Sequence, residues 1–156
     1  MSVGAQHPEG SLRSHDIVDE AAETQGLLET VVVSPARPIF EGRASHLYIT
    51  GEASSLGIWP KHADLVSALG TGPMRIFEKD GTVHRYAISG GFLKVGGKKV
   101  TVLIDKAVRA DEVDKAAVTK ELEAVKADLM HPKSDEEFDA LRKKRDWCQA
   151  RLALAQ

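Results

Sequence analysis

Six histidines, one cysteine and a scatter of serines are the side chains in this sequence whose types could carry chemistry. His7, His15, His46, His62, His84 and His131 include no pair three or four residues apart and no neighbouring cysteine. A zinc site needs several ligands converging at such spacings, so none is expected. The stretch Gly91–Lys98 (GFLKVGGK) approaches a phosphate-binding loop, but its lysine is displaced by one residue and no Ser or Thr follows to hold magnesium. It reads as strand, glycine turn, strand. Cys148 falls on a helical apolar stripe and reads as a small core residue rather than a nucleophile. Ser34, Ser54, Ser55 and Ser89 have no flanking pattern that activates a hydroxyl. The chain is therefore expected to catalyse nothing by itself and to hold neither metal nor cofactor.

Two segments invite another reading. Within Gly51–Ala68, the run Leu56-Gly57-Ile58-Trp59-Pro60 sets a large aromatic beside a glycine and a proline. Ile88–Leu93 contains a paired-glycine bend, Gly90-Gly91, followed by Phe92. Apolar side chains next to permissive backbone suit a close contact with another surface. They equally suit two corners of a β-sandwich.

The elements that hold these segments follow from composition and period. The chain has 156 residues, 42% of them hydrophobic and 5% aromatic. It is long enough for one ordinary domain with a small appendage, built around aliphatic side chains. A single cysteine excludes an intrachain disulfide framework and fits a reducing compartment. No apolar run reaches the roughly 20 residues of a membrane-spanning helix. The net charge of −2 argues against nucleic acid as a partner, yet it conceals three zones. Residues 1–30 carry one base against six acids, residues 31–110 eleven against six, and residues 111–156 nine against eleven. The acidic extension, residues 1–26, lacks the marks of a signal or transit peptide. Asp16–Glu23 within it has the makings of a short helix, and a solvated or loosely docked tail is expected overall.

Residues 27–110 read as strands. Leu28–Ser34 is β-branched and stopped by Pro35. His46–Thr50 is a short half-apolar run. Met74–Glu78 and Val83–Ser89 flank Lys79-Asp80-Gly81-Thr82, where Asp-Gly suits a tight hairpin. Phe92–Val95 and Val100–Ile104 flank Gly96-Gly97-Lys98-Lys99. Short strands with no helical period between them predict an antiparallel sandwich or barrel. Residues 111–156 change period: Val118, Leu122, Val125 and Leu129 form one stripe, and Phe138, Leu141, Cys148, Leu152 and Ala155 a second, with Arg145 inside it. His131-Pro132 breaks the first helix and Ser134-x-x-Glu137 caps the next. The fold class is α+β, a β-sandwich followed by an antiparallel two-helix hairpin.

The ordered series VVVSPARPIFEG, ITGEASSLGIWPKHADLVSAL, GPMRI and ISGGFLKVGGKKVTVLIDKAVRADEVD closely resembles the epsilon subunits of bacterial F-type ATP synthases, whose mitochondrial relatives are called delta. The resemblance runs from about Leu27 to the C-terminus. It implies a subunit of the central stalk that binds the gamma subunit and the membrane rotor ring of c subunits through its sandwich. Such a chain couples proton-driven rotation to ATP synthesis, and its hairpin rises along gamma to inhibit ATP hydrolysis. The implied place is the periphery of an energy-transducing membrane, on the cytoplasmic side in a bacterium.

Carried over by position, Leu56, Gly57, Ile58, Trp59, Pro60 and His62, with Ser89, Gly90, Gly91 and Phe92, are expected contacts with gamma or the ring. Arg142, Lys143, Lys144 and Arg145 are expected to meet an acidic loop of the catalytic beta subunit transiently. A solvated helix face accounts for the same four bases. Three departures stand out: Ser54-Ser55 replaces an expected Gly-Glu, Lys61 replaces an expected glycine, and the ATP-binding pattern Ile/Leu-Asp-x-x-Arg-Ala is degenerate. Asp114 is kept there, but Ala117 stands where the arginine belongs, so ATP binding is expected to be weak or absent. The competing reading is a free-standing interaction module of the same shape serving an unrelated complex.

Overall fold

β-branched and aliphatic side chains alternate through Leu28–Val33, which forms the first strand of a seven-stranded sheet in the computed structural model. The structure describes residues 26–156; the expected acidic tail lies outside the described residues, apart from Gly26. β1 (Leu28–Val33), β2 (Pro38–Ala44), β3 (His46–Gly51), β4 (Ser55–Ile58), β5 (Leu65–Phe77), β6 (Val83–Gly96) and β7 (Lys99–Arg109) run in the order β2-β1-β7-β6-β5-β3-β4. Every pairing is antiparallel except β1 with β7, which is parallel.

The sheet folds over on itself because the long strands change which side they bury. β6 turns Tyr86 and Ile88 inward before its midpoint, and Leu93 and Val95 after it. The parity flips at Gly90 and Gly91, whose φ angles of 73° and 122° are open to glycine alone without strain. A Cβ on Gly91 would strike the Leu103 carbonyl and one on Gly90 the Asp105 carboxylate. β5 flips likewise, burying Leu69 in its first half and Met74 and Ile76 in its second. Two layers thus enclose one core, built from Leu28, Leu47, Ile49, Ile58, Met74, Ile76, Leu93 and their neighbours. The two strands expected on either side of the paired glycines are one bent strand. β2, β4 and the first half of β5 escaped the sequence reading, since Pro38, Gly57 and Gly70 interrupt their patterns.

In the β5–β6 turn only Gly81 takes a positive φ; Asp80 instead accepts a hydrogen bond from the Thr82 N–H at 2.9 Å. A 3₁₀ turn, Ala110–Glu112, then leads to α1 (Lys115–Leu129) and α2 (Asp135–Leu154). Asp114 caps α1 by accepting from Ala117 N–H at 3.1 Å, and Ser134 caps α2 by accepting from Glu137 N–H at 3.0 Å. The two stripes meet in a separate small core of Val118, Leu122 and Cys148. Arg151 ties the helices together, donating to Glu121 at 3.2 Å while lying 5.1 Å from the centre of the Trp147 ring. α2 docks on β5 and β6, so the hairpin rests folded against the sandwich. Phe138, expected in the second stripe, is exposed in the first turn of α2.

Candidate partner-binding surfaces

Leu56–His62 leaves β4 and turns the chain from one layer to the other. Ile58 is fully buried and belongs to the core, and Leu56 is partly buried against it, so these two hold the segment rather than present it. Trp59 is 49% exposed. Pro60 and Lys61 occupy the middle of a turn closed by a hydrogen bond from His62 N–H to Trp59 C=O at 3.1 Å. Lys61 has φ 68°, the positive angle that a type II turn asks of the residue after proline. Here a lysine accepts the backbone that glycine would take freely.

Trp59 does not stand alone. Its ring stacks on His46 at 4.0 Å, and His46 stacks on Phe77 at 4.3 Å, because β3 and β5 place His46 directly opposite Phe77. Tyr48, two residues along β3, meets Trp59 and Phe77 edge-on. Gly57 makes room for this: a Cβ there would lie 3.1 Å from the Tyr48 ring. The Arg75 guanidinium sits 5.2 Å from the centre of that ring, within cation–π range. Burial holds the His46 imidazole below its ordinary pKa, while its Nδ1 lies 3.0 Å from Ser45 Oγ.

Ser89–Phe92 lies in the bend of β6. The Ser89 hydroxyl shares a hydrogen bond with Thr71 at 2.9 Å, and Gly90-Gly91 make the bend, so Phe92 is the residue presented. It is 60% exposed and pairs across the sheet with Leu103, 52% exposed, with Val66, 70% exposed, on the same face of β5. Lys94 and Thr101 border this apolar patch. Leu93 and Val102, the next pair, point into the core. Phe92 therefore points outward from one layer, whereas Trp59 and its stack lie on the outer side of the other. The two predicted segments are not brought together: they mark separate faces. Tyr48, Phe77, Val66 and Leu103 escaped the sequence reading. Their signal was alternation within strands, visible only once register says which residues share a face.

Arg142, Lys143 and Lys144 are exposed on α2 and Arg145 is partly buried. Arg142 pairs with Asp139 at 3.6 Å and Arg145 with Asp146 at 3.1 Å, contacts on their own helix that leave the lysines to solvent. Asp114 is engaged as the helix cap, and Ala117 offers no side-chain donor. No group of three or more potential metal ligands occurs among the described residues, nor is any helix there long and apolar enough to cross a membrane.

Residues 27–110 match the family model described as the β-sandwich domain of the ATP synthase delta/epsilon chain, just over half of this chain. The chain belongs to the ATP synthase delta/epsilon family. Among curated proteins it is similar to the ATP synthase epsilon chain of Xanthomonas euvesicatoria pv. vesicatoria (strain 85-10), 45% identical over 89 residues. It is equally similar to that of Xylella fastidiosa, again 45% over 89 residues. Each match covers 57% of this chain and 64% of the relative. Among solved structures it is similar to a chain in the Euglena gracilis mitochondrial ATP synthase, OSCP/F1/c-ring, with TM-score 0.76 at 18% identity, covering 97% of this chain and 88% of that one. A chain in the Tetrahymena thermophila mitochondrial ATP synthase central stalk and c-ring gives TM-score 0.57 at 15% identity, covering 83% and 96%. These two likenesses speak for the fold. The delta/epsilon sandwich of this chain thus carries its exposed apolar residues on two opposed faces.

Proposed function

We propose that this chain is the non-catalytic rotor subunit of a proton-translocating F-type ATP synthase, binding gamma and the c-ring through its sandwich. On that reading it turns with them at the periphery of the membrane, on the cytoplasmic side in a bacterium, and couples rotation to ATP synthesis. The observation that carries this is the outward-facing apolar patch of Val66, Phe92 and Leu103 on a sandwich of the delta/epsilon family. A protein of this size gains nothing in water from presenting three large apolar side chains on one face, and a partner that covers them does.

The hairpin is the proposed inhibitory element. Its own core is small and it touches the sandwich through α2, so undocking disturbs little of the main core. Released, its basic segment Arg142–Arg145 would meet an acidic loop of the catalytic beta subunit. ATP plays no part in holding it, since Asp114 is spent on the helix cap and Ala117 supplies no phosphate donor.

An affinity tag on the full chain tests the assignment. Purified from membranes of its own organism, it should bring down the catalytic subunits, gamma and the c-ring together. Recovery with a different complex, or alone, would overturn it in favour of a free-standing interaction module.

A further inference from the structure

Arg75 and Arg85 stand directly opposite each other on β5 and β6, and like charges in that relation repel. Neither enters an ion pair among the described residues. Arg75 is held in place by rings instead, 5.2 Å from the centre of Tyr48 and 5.9 Å from that of Phe77. Beside the two guanidinium groups a cleft of about 330 Å³ separates the sheet from α2, whose Ala150, Ala153 and Leu154 form its far wall. No acidic side chain lines it among the described residues. The cleft thus sets uncompensated positive charge on the sandwich against an apolar wall on the hairpin.

The chain itself carries the complement. Residues 16–23, outside the described residues, hold four acids and no base, interleaving Asp16, Asp19, Glu20 and Glu23 with Ile17, Val18, Ala21 and Ala22. Leu28 opens β1 opposite Ala44, and the N–H of the next residue, Ser45, donates to the Phe77 carbonyl at 2.7 Å. Phe77 ends β5, two residues beyond Arg75. The acidic segment therefore joins the fold beside the strand that carries the cation pair. A short run of connecting residues, at roughly 3.3 Å per extended residue, covers the remaining distance.

We propose that residues 16–23 form an intramolecular strap that occupies this cleft, its carboxylates on Arg75 and Arg85 and its apolar side chains against α2. Guanidinium groups receive carboxylates in paired hydrogen bonds, and a carboxylate here relieves the repulsion between the two cations. Tethering favours this occupant: a covalently joined segment meets the site at an effective concentration on the order of millimolar, so weak contacts suffice. The lysines of the β6–β7 turn offer charge near the same entry point, but the cleft lined by Lys94 and Lys99 has no apolar wall. Because the arginine cleft has one wall on the sandwich and one on α2, the strap clamps the hairpin in its docked position. The effect on ATP hydrolysis rests on the inhibitory reading of the hairpin, whereas the strap itself does not.

The test uses the isolated full-length chain with a photo-crosslinking residue in place of Ala21. Irradiation should join position 21, within one molecule, to peptides from β5, β6 or the end of α2. R75E/R85E should cut that adduct about fivefold or more, as should raising the salt to about 1 M. Adding D16K/D19K/E20K/E23K to R75E/R85E should restore it, which separates lost attraction from a damaged sheet. In D16N/D19N/E20Q/E23Q, amide hydrogen exchange in the last turn of α2 should run at least about threefold faster than in the wild type. An adduct elsewhere on the sandwich, one joining two copies of the chain, or a yield indifferent to R75E/R85E overturns the strap. A loss that the reversed acids fail to restore overturns it too, and unchanged exchange in α2 overturns the clamp. None of these results touches the rotor reading, which co-purification with the synthase decides. A chain recovered outside the synthase removes that reading and leaves the strap in place.

Discussion

Lys61 shows how a single residue records both the fold and its cost. It holds φ 68° after Pro60, where a non-glycine residue is strained by roughly 1–2 kcal/mol. Lys61→Gly relieves the strain while adding freedom to the unfolded chain, so thermal unfolding should rise by about 2 °C or less. Gly91→Ala has the opposite sign: the new Cβ meets the Leu103 carbonyl at φ 122°, and calorimetry should show a loss of about 2 kcal/mol or more. The sequence showed that Lys61 must turn without glycine and that Gly90-Gly91 mark a bend. Trp59 and Phe92 were legible as aromatics beside permissive backbone. That His46 is stacked between Trp59 and Phe77 was not, because residues 31 positions apart become neighbours only through the register of β3 on β5.

At the scale of elements, the link between sandwich and hairpin is held by one carboxylate. Glu112 accepts from Arg37 Nη2 at 2.7 Å and from the Arg109 N–H at 2.8 Å, joining the β1–β2 turn to the end of β7. The Arg37 hydrogen bond, then the Arg109 N–H, hold the Glu112 carboxyl below its ordinary value of 4.5. With the folded pKa depressed, this contribution to stability is complete above the unfolded value and fades as pH falls through the lower folded one. The gap in melting temperature between wild type and Glu112→Gln should therefore be steady near neutrality and close below about pH 4.5. A gap unchanged down to acid pH would remove Glu112 as the latch. Within the hairpin, burial pushes the Cys148 thiol up from its ordinary value, so alkylation by iodoacetamide at pH 8 should run at least about tenfold slower than for free cysteine. Arg151→Ala, which removes the cation that favours the thiolate and leaves Glu121 unopposed, should slow it further. The helices, their stripes and the Ser134 cap were legible because each is local in sequence. The Arg37–Glu112 bond, spanning 75 positions, is not.

Over the sandwich, the exposed apolar side chains are grouped rather than scattered, with basic residues at their borders. The sandwich carries the excess of bases, the hairpin is nearly balanced, and the sandwich's exposed large apolar side chains fall on two faces. The β-first, α-second plan was readable from the change of period near residue 110. The division into two faces was not, since it depends on where β5, β6 and β7 flip their buried side. In the assembled enzyme, replacing Arg142, Lys143, Lys144 and Arg145 with alanine should raise ATP hydrolysis without loss of assembly, and more so at low salt. Unaltered hydrolysis across ionic strengths would deny this segment an inhibitory role. Calorimetric titration with ATP should show no binding in the micromolar range; a micromolar constant would contradict the reading of Asp114 as a cap alone.

The most direct test of the central claim places a photo-crosslinking residue at position 92, in the middle of the Val66–Leu103 patch, and irradiates membranes containing the intact synthase. The adduct should join this chain to gamma or to a c subunit and vanish when Val66 and Leu103 are both changed to aspartate. An adduct only with proteins outside the synthase, or none from a chain that co-purifies with it, would contradict the assignment of this face to the rotor.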